Sequence, residues 1–124
     1  MKKKILIVED CEDSREFLKV LVEGYGYQVI EARDGIEAFH NFRKHSPDIV
    51  LMDISLPAVD GLITTKAIRE IDAARKTPII AITAFGRTFY EQAIEAGCDD
   101  LLGKPFDIDS LESMMSRHLF PTSE

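Results

Sequence analysis

The residues able to do chemistry in this chain are a few carboxylates, one hydroxyl and one ammonium, each standing at the end of a short apolar run. Glu9-Asp10 follow Ile5 to Val8, and Asp53 follows Ile49 to Met52. Thr83-Ala84 close the run from Ile79, and Lys104-Pro105 follow the stretch ending at Gly103. Alone, each has an ordinary role as a turn residue, helix cap or solvated charge. Together they would form a site, since clustered titratable groups in a cleft mark one. Two carboxylates about 4 Å apart near a surface repel by roughly 4 kcal/mol at an effective dielectric of about 20, and Lys104 offsets only one charge. A hard divalent cation fits the remainder. Mg²⁺ fits better than calcium because few carboxylates are present and water can complete an octahedron. Zinc is disfavoured, with no His or Cys at ligand spacing. With Asp53 as nucleophile, and the cation, Lys104, the Thr83 hydroxyl and a nearby backbone N–H as stabilisers, the set suits phosphoryl transfer onto a carboxylate. The acidic run Glu9 to Asp13 stands where a nucleotide-binding chain would carry a glycine-rich loop.

The elements that must position these groups are legible as an alternation of strand and helix. Ile5 to Val8, Ile49 to Asp53 and Ile79 to Thr83 are continuous apolar runs suited to strands buried on both faces. Tyr27 to Ala32 is more polar and reads as an edge strand, and Asp99 to Gly103 as a short fifth one. Between them run helical periods. The first starts near Glu12, with Phe17, Leu18, Leu21, Val22 and Tyr25 on its inner face and Gly24 and Gly26 at its end. The second opens at Asp34-Gly35 and carries Ile36, Phe39 and Phe42 inward. After a loop from Ser55 to Val59, the third begins at Asp60-Gly61 with Ile63, Ala67, Ile68 and Ile71 inward. The fourth, from about Thr88 to Ala96, buries Ala93 and Ile94, and the fifth, capped by Asp107, buries Ile108, Leu111, Met115 and Leu119. The pattern predicts an α/β fold, one doubly wound parallel sheet with helices on both faces, whose ligands sit beyond the carboxyl ends of the strands.

Composition sets the boundaries. The 124 residues fit one domain spanning 1–124, with a core of about 4–119 and a short C-terminal tail. A net charge of -7 argues against nucleic acid or an anionic membrane as a direct partner. Lys2-Lys3-Lys4 precede only four apolar residues before Glu9, so a cytoplasmic chain is expected. Cys11 and Cys98 lack paired spacing and read as reduced structural residues. His40, His45 and His118 are scattered and read as solvated helix positions.

Glu9-Asp10, Met52-Asp53 with Leu56-Pro57 and Asp60-Gly61, Thr83-Ala84, and Lys104-Pro105-Phe106 together resemble the signature of the response-regulator receiver domain of two-component systems, across nearly the whole chain. The resemblance implies a flavodoxin-like sheet of order 2-1-3-4-5 with five helices; the general description of that order already includes a member of this family. It implies a signalling switch rather than an enzyme, one that catalyses its own phosphorylation and dephosphorylation. Asp53 would accept a phosphoryl group from a phospho-histidine on a sensor histidine kinase or histidine phosphotransfer protein. Asp10, Asp53 and the Ser55 carbonyl would ligate Mg²⁺, with Glu9 acting through a water. Thr83, the Ala84 N–H and Lys104 would contact the phosphoryl group, Thr83 moving its loop to change a surface read by an output protein. A cis bond is expected before Pro105. A monomer or weak dimer is implied, contacting partners through the fourth helix, fifth strand and fifth helix. If Glu124 ends the chain, this is a single-domain regulator; the same span would serve equally as a module of a hybrid kinase.

The sequence also departs from the family's pattern. Glu9 stands where Asp is commoner, Leu101 where an aromatic switch residue often stands, and the stretch from Thr83 to Gly97 is about one residue short. Ser55 and Phe85, two past Asp53 and Thr83, flank the expected path of hydrolytic water, where Phe85 would shield the acyl phosphate. Two other functions are open to such a chain. One is a metal-dependent phosphatase with an aspartate nucleophile, disfavoured because the nucleophile follows the third strand and no cap encloses a substrate. The other is an unphosphorylated interaction module, disfavoured because every chemical position is present.

Overall fold

The computed structural model describes residues 2–54, 59–74 and 76–121, the side chains of residues 59 and 60 excepted. Five strands alternate with five helices: β1 Lys4–Val8, α1 Glu12–Gly24, β2 Gln28–Ala32, α2 Gly35–His45, β3 Ile49–Asp53, α3 Val59–Ile71, β4 Ile79–Thr83, α4 Tyr90–Ala96, β5 Asp100–Gly103 and α5 Ile108–Leu119. All strand pairs are parallel, in the order β2-β1-β3-β4-β5. The polar strand is at an edge as expected, and the apolar runs β1, β3 and β4 fill the centre.

Each central strand supplies both faces. Leu6, Val8, Val50, Met52, Ile79 and Ala81 face a layer containing Ala38, Phe42, Ile68, Ala93 and Cys98. Ile5, Ile7, Ile49, Leu51, Ile80 and Ile82 face Leu18, Val22, Leu111, Met115 and Leu119. Burial of these strands on both sides explains why their sequences do not alternate. Cys98 is buried, its Sγ 3.9 Å from Thr65 Oγ1, and Cys11 is exposed.

Six apolar residues assigned inward by spacing lie outside. Phe17, Ile36, Ile63, Ile71, Ile94 and Ile108 are all exposed, Ile36 at 85 %. The sheet covers a narrower stripe of each helix than the apolar pattern suggests, and smaller residues occupy it. Ala38 stands inward in α2, Ala93 and Ala96 in α4, and Thr64 and Thr65 beside Ile68 in α3. The Thr65 hydroxyl is accommodated by donating to Gly61 O at 2.9 Å. His118 is half-buried rather than solvated, its Nε2 3.1 Å from Asp100 Oδ2.

The sheet's other end, away from the strand carboxyl termini, is tied by Arg69 of α3. Its guanidinium donates to Gly97 O at the end of α4, to Thr77 O before β4, and to Asp72 and Asp99. Asp99 in turn accepts from Ile79 N at 2.8 Å. Gly97 ends α4 at a φ of 118°, a conformation that favours glycine. Among the described residues, no helix is long and apolar enough to cross a membrane.

Candidate functional site

Parallel pairing brings every strand's carboxyl end to one edge, and the register sets the heights. Val8 pairs with Met52, which places Glu9 level with Asp53. Thr83 pairs with Gly103, and Lys104 N donates to Thr83 O at 2.7 Å, so Lys104 leaves β5 beside the end of β4. Lys104 Nζ then donates to Asp53 Oδ2 at 2.8 Å and reaches Glu9 Oε1 at 3.5 Å. Residues 51 and 95 positions apart in sequence thus meet at one ammonium.

The electrostatics are those of a crowded acidic pocket. Glu9 is only 3 % exposed. Burial, then the hydrogen bond it shares with Asp53, push its carboxyl up to about 7, against a backbone hydrogen bond from Cys11. Burial opposes the Lys104 charge, but the Asp53 hydrogen bond and the charges of Asp53 and Glu9 outweigh it and hold the ammonium above the usual lysine value. Two carboxyl groups in such contact need a proton between them, or a cation in its place. That donor chemistry fits magnesium, which takes one or two carboxylates and completes its shell with other oxygens.

The remaining expected residues are placed as follows. Asp10 is exposed and lines the same cleft as Glu9 and Asp53. Among the described residues no three His, Cys, Asp or Glu side chains are grouped to hold a metal. Ser55, with Leu56 and Pro57, lies outside the described residues. Thr83 is fully buried and its hydroxyl accepts from Phe85 N at 3.1 Å, while Ala84 is exposed. Phe85 is partly exposed and packs edge-on against Phe89, with ring centroids 5.7 Å apart. Leu101 is half-buried and packs with Phe89 and Leu62 against the core layer under α3 and α4. The Lys104–Pro105 peptide is cis, as expected.

Sequence spacing missed the walls of the cleft. It encloses about 690 Å³, bounded by Arg33, Asp34, Ile36 and Phe39 on one side and Ile63, Thr64 and Ala67 on the other. It also missed Arg15, whose guanidinium donates to Glu9 O at 3.0 Å.

Comparison with known proteins decides the family. The model of the response regulator receiver domain matches residues 5–116. The chain belongs to the response-regulator receiver family. The receiver is 41 % identical over 109 residues to the polar-differentiation response regulator DivK of Brucella anthropi, covering 87 % of this chain and 89 % of that one. The Brucella ovis DivK is 40 % identical over the same shares. Among solved structures, the receiver superposes on chemotaxis protein CheY4 of Vibrio cholerae with a TM-score of 0.87 and 28 % identity, covering 96 % of this chain and 100 % of that one. It superposes on the receiver domain of the sensor histidine kinase PA1611 of Pseudomonas aeruginosa with a TM-score of 0.86 and 33 % identity, covering 96 % and 98 %. That domain carries a magnesium ion coordinated in its active site cleft. The receiver's sheet order and five helices match those neighbours. Receivers of this family are signalling switches of two-component systems.

Proposed function

We propose that this receiver accepts a phosphoryl group on Asp53 from a phospho-histidine of a sensor kinase or phosphotransfer protein. An Asp53 carboxylate oxygen forms the new O–P bond as the P–N bond to the imidazole breaks; the electron pair returns to the ring nitrogen. Glu9, Asp10, Asp53 and the Ser55 carbonyl would hold Mg²⁺, which when bound supplies positive charge to the phosphoryl oxygens. Lys104 supplies a second charge from within the chain, and Thr83 and the Ala84 N–H supply donors. For Thr83 to serve, its hydroxyl must turn from the Phe85 N–H to the phosphoryl group, which moves the loop beyond β4. That movement is the signal passed to an output protein. In this reading residues 1–124 act as one cytoplasmic domain, monomeric or weakly dimeric, that is switched rather than turning over a substrate.

The observation that carries the proposal is the meeting of Lys104, Asp53 and Glu9 at the carboxyl edge of the sheet. The test is incubation with acetyl phosphate and Mg²⁺. One base-labile phosphoryl group per chain, lost in Asp53→Asn, is the expected result. Turnover of phosphate esters would indicate a phosphatase, and absence of labelling an inert module.

A further inference from the structure

The two acidic residues after β1 share one peptide group, and its carbonyl belongs to Glu9. That carbonyl accepts from Arg15 Nη1 at 3.0 Å. Arg15 stands in the first turn of α1, where its own N–H donates to Cys11 O at 2.9 Å. Its side chain is 12 % exposed, and Nε pairs with Glu31 Oε1 at 3.2 Å on the neighbouring strand. The Glu31 main chain is fixed, since β2 pairs Glu31 with Ile7 and Asn41 Nδ2 of α2 donates to Glu31 O at 2.9 Å, and the Glu31 carboxylate also meets Lys19 Nζ at 3.9 Å. The guanidinium therefore spans from β2 to the Glu9–Asp10 peptide like a strut. It approaches that turn from the side of α1 and bonds neither carboxylate of the pair.

We infer that Arg15 is a positioning residue for the acidic turn, fixing the Glu9–Asp10 peptide plane through Glu31 so that both carboxylates point at one cation. The inference rests on the magnesium site proposed above. Its direction runs against simple electrostatics. A positive charge near a cation site weakens binding, so removing Arg15 for its charge alone would tighten Mg²⁺. Removing it as a strut frees the peptide to turn and weakens Mg²⁺, as loss of partners behind metal ligands commonly does by about ten-fold or more. The two accounts differ in sign.

The experiment is calorimetric titration of the purified chain with MgCl₂, beside thermal melts in EDTA. Wild type should bind one ion, Arg15→Met should bind about ten-fold more weakly, and Arg15→Lys, which keeps the charge but reaches only one acceptor, should fall between. Labelling by acetyl phosphate in Arg15→Met should recover towards wild type at saturating Mg²⁺. Binding by Arg15→Met equal to or tighter than wild type overturns the inference, as does a lowered melting temperature with unchanged affinity. If Arg15→Met does not fold, Arg15→Lys binding as tightly as wild type overturns it. A wild-type chain that binds no Mg²⁺ refutes the underlying site, a result distinguishable from failure of the strut alone.

Discussion

The Lys104 ammonium lies 2.8 Å from Asp53 Oδ2, a contact made only because β5 and β3 end at the same edge of the sheet. It has two opposed consequences. The positive charge would stabilise a phosphoryl group arriving on Asp53, and it competes with a metal ion for the same carboxylate.

Lys104→Met should therefore separate the two effects. Labelling of Asp53 by acetyl phosphate at saturating Mg²⁺ should slow by about 100-fold, the usual loss when one charge-stabilising donor is removed. Mg²⁺ should bind several-fold more tightly, because the carboxylates lose their internal cation. Parallel labelling kinetics and calorimetry would check both, and slowing caused by weaker metal binding would contradict the assignment.

Glu9 makes stability depend on pH in the metal-free protein. Its carboxyl titrates near 7 when folded against an ordinary 4.5, so the folded state holds the proton more tightly than the unfolded chain. This contribution is complete below about pH 4.5 and is lost as pH rises through about 7, a change of roughly 3 kcal/mol at most. Urea melts in EDTA should lose stability across that interval, and Glu9→Gln should flatten the profile. With millimolar Mg²⁺ the loss should be offset at the alkaline end, because the ion takes the place of the proton.

Phe85→Ala should shorten the lifetime of the acyl phosphate. The ring stands two residues beyond Thr83, partly exposed and braced edge-on by Phe89. If the ring screens the acyl phosphate, its removal admits water, and autodephosphorylation should quicken several-fold with labelling stoichiometry unchanged. An unaltered decay rate would show that the ring packs on its loop and shields nothing.

Gly97→Ala should destabilise the fold without touching the pocket. At a φ of 118° an alanine is strained, and its Cβ would collide with the Arg69 side chain. A loss of about 2 kcal/mol in urea unfolding is expected, with an unchanged m-value and unchanged Mg²⁺ affinity.

How far the sequence reveals this molecule follows from which forces leave a local trace. Strands buried on both faces must be apolar throughout, so β1, β3 and β4 are visible as runs, and the groups at their ends are placed once parallel order is assumed. The helices are harder to orient. Ile36 and Ile63 satisfy the helical period yet stand outside, because Ala38 and Thr64 occupy the close approach to neighbouring elements. Polar struts leave no periodic trace at all. Arg15 reaches a strand residue 16 positions away and Arg69 a carbonyl 28 away, distances that only the folded chain relates. Glu9 and Asp10, adjacent in sequence, line one cleft yet differ in burial, the first enclosed and the second exposed, a difference that no spacing shows.

The Arg69 clasp bears on how α4 can travel. This helix has seven residues, with its trailing carbonyl pinned to α3 and its leading end joined to the exposed residues 84–88. Pinned at its tail and packed along Ala93, the helix tilts more readily than it slides. Any pull exerted at Thr83 would therefore sweep the amino end of α4 through an arc about Gly97, with the largest excursion at Tyr90 and almost none at Ala96.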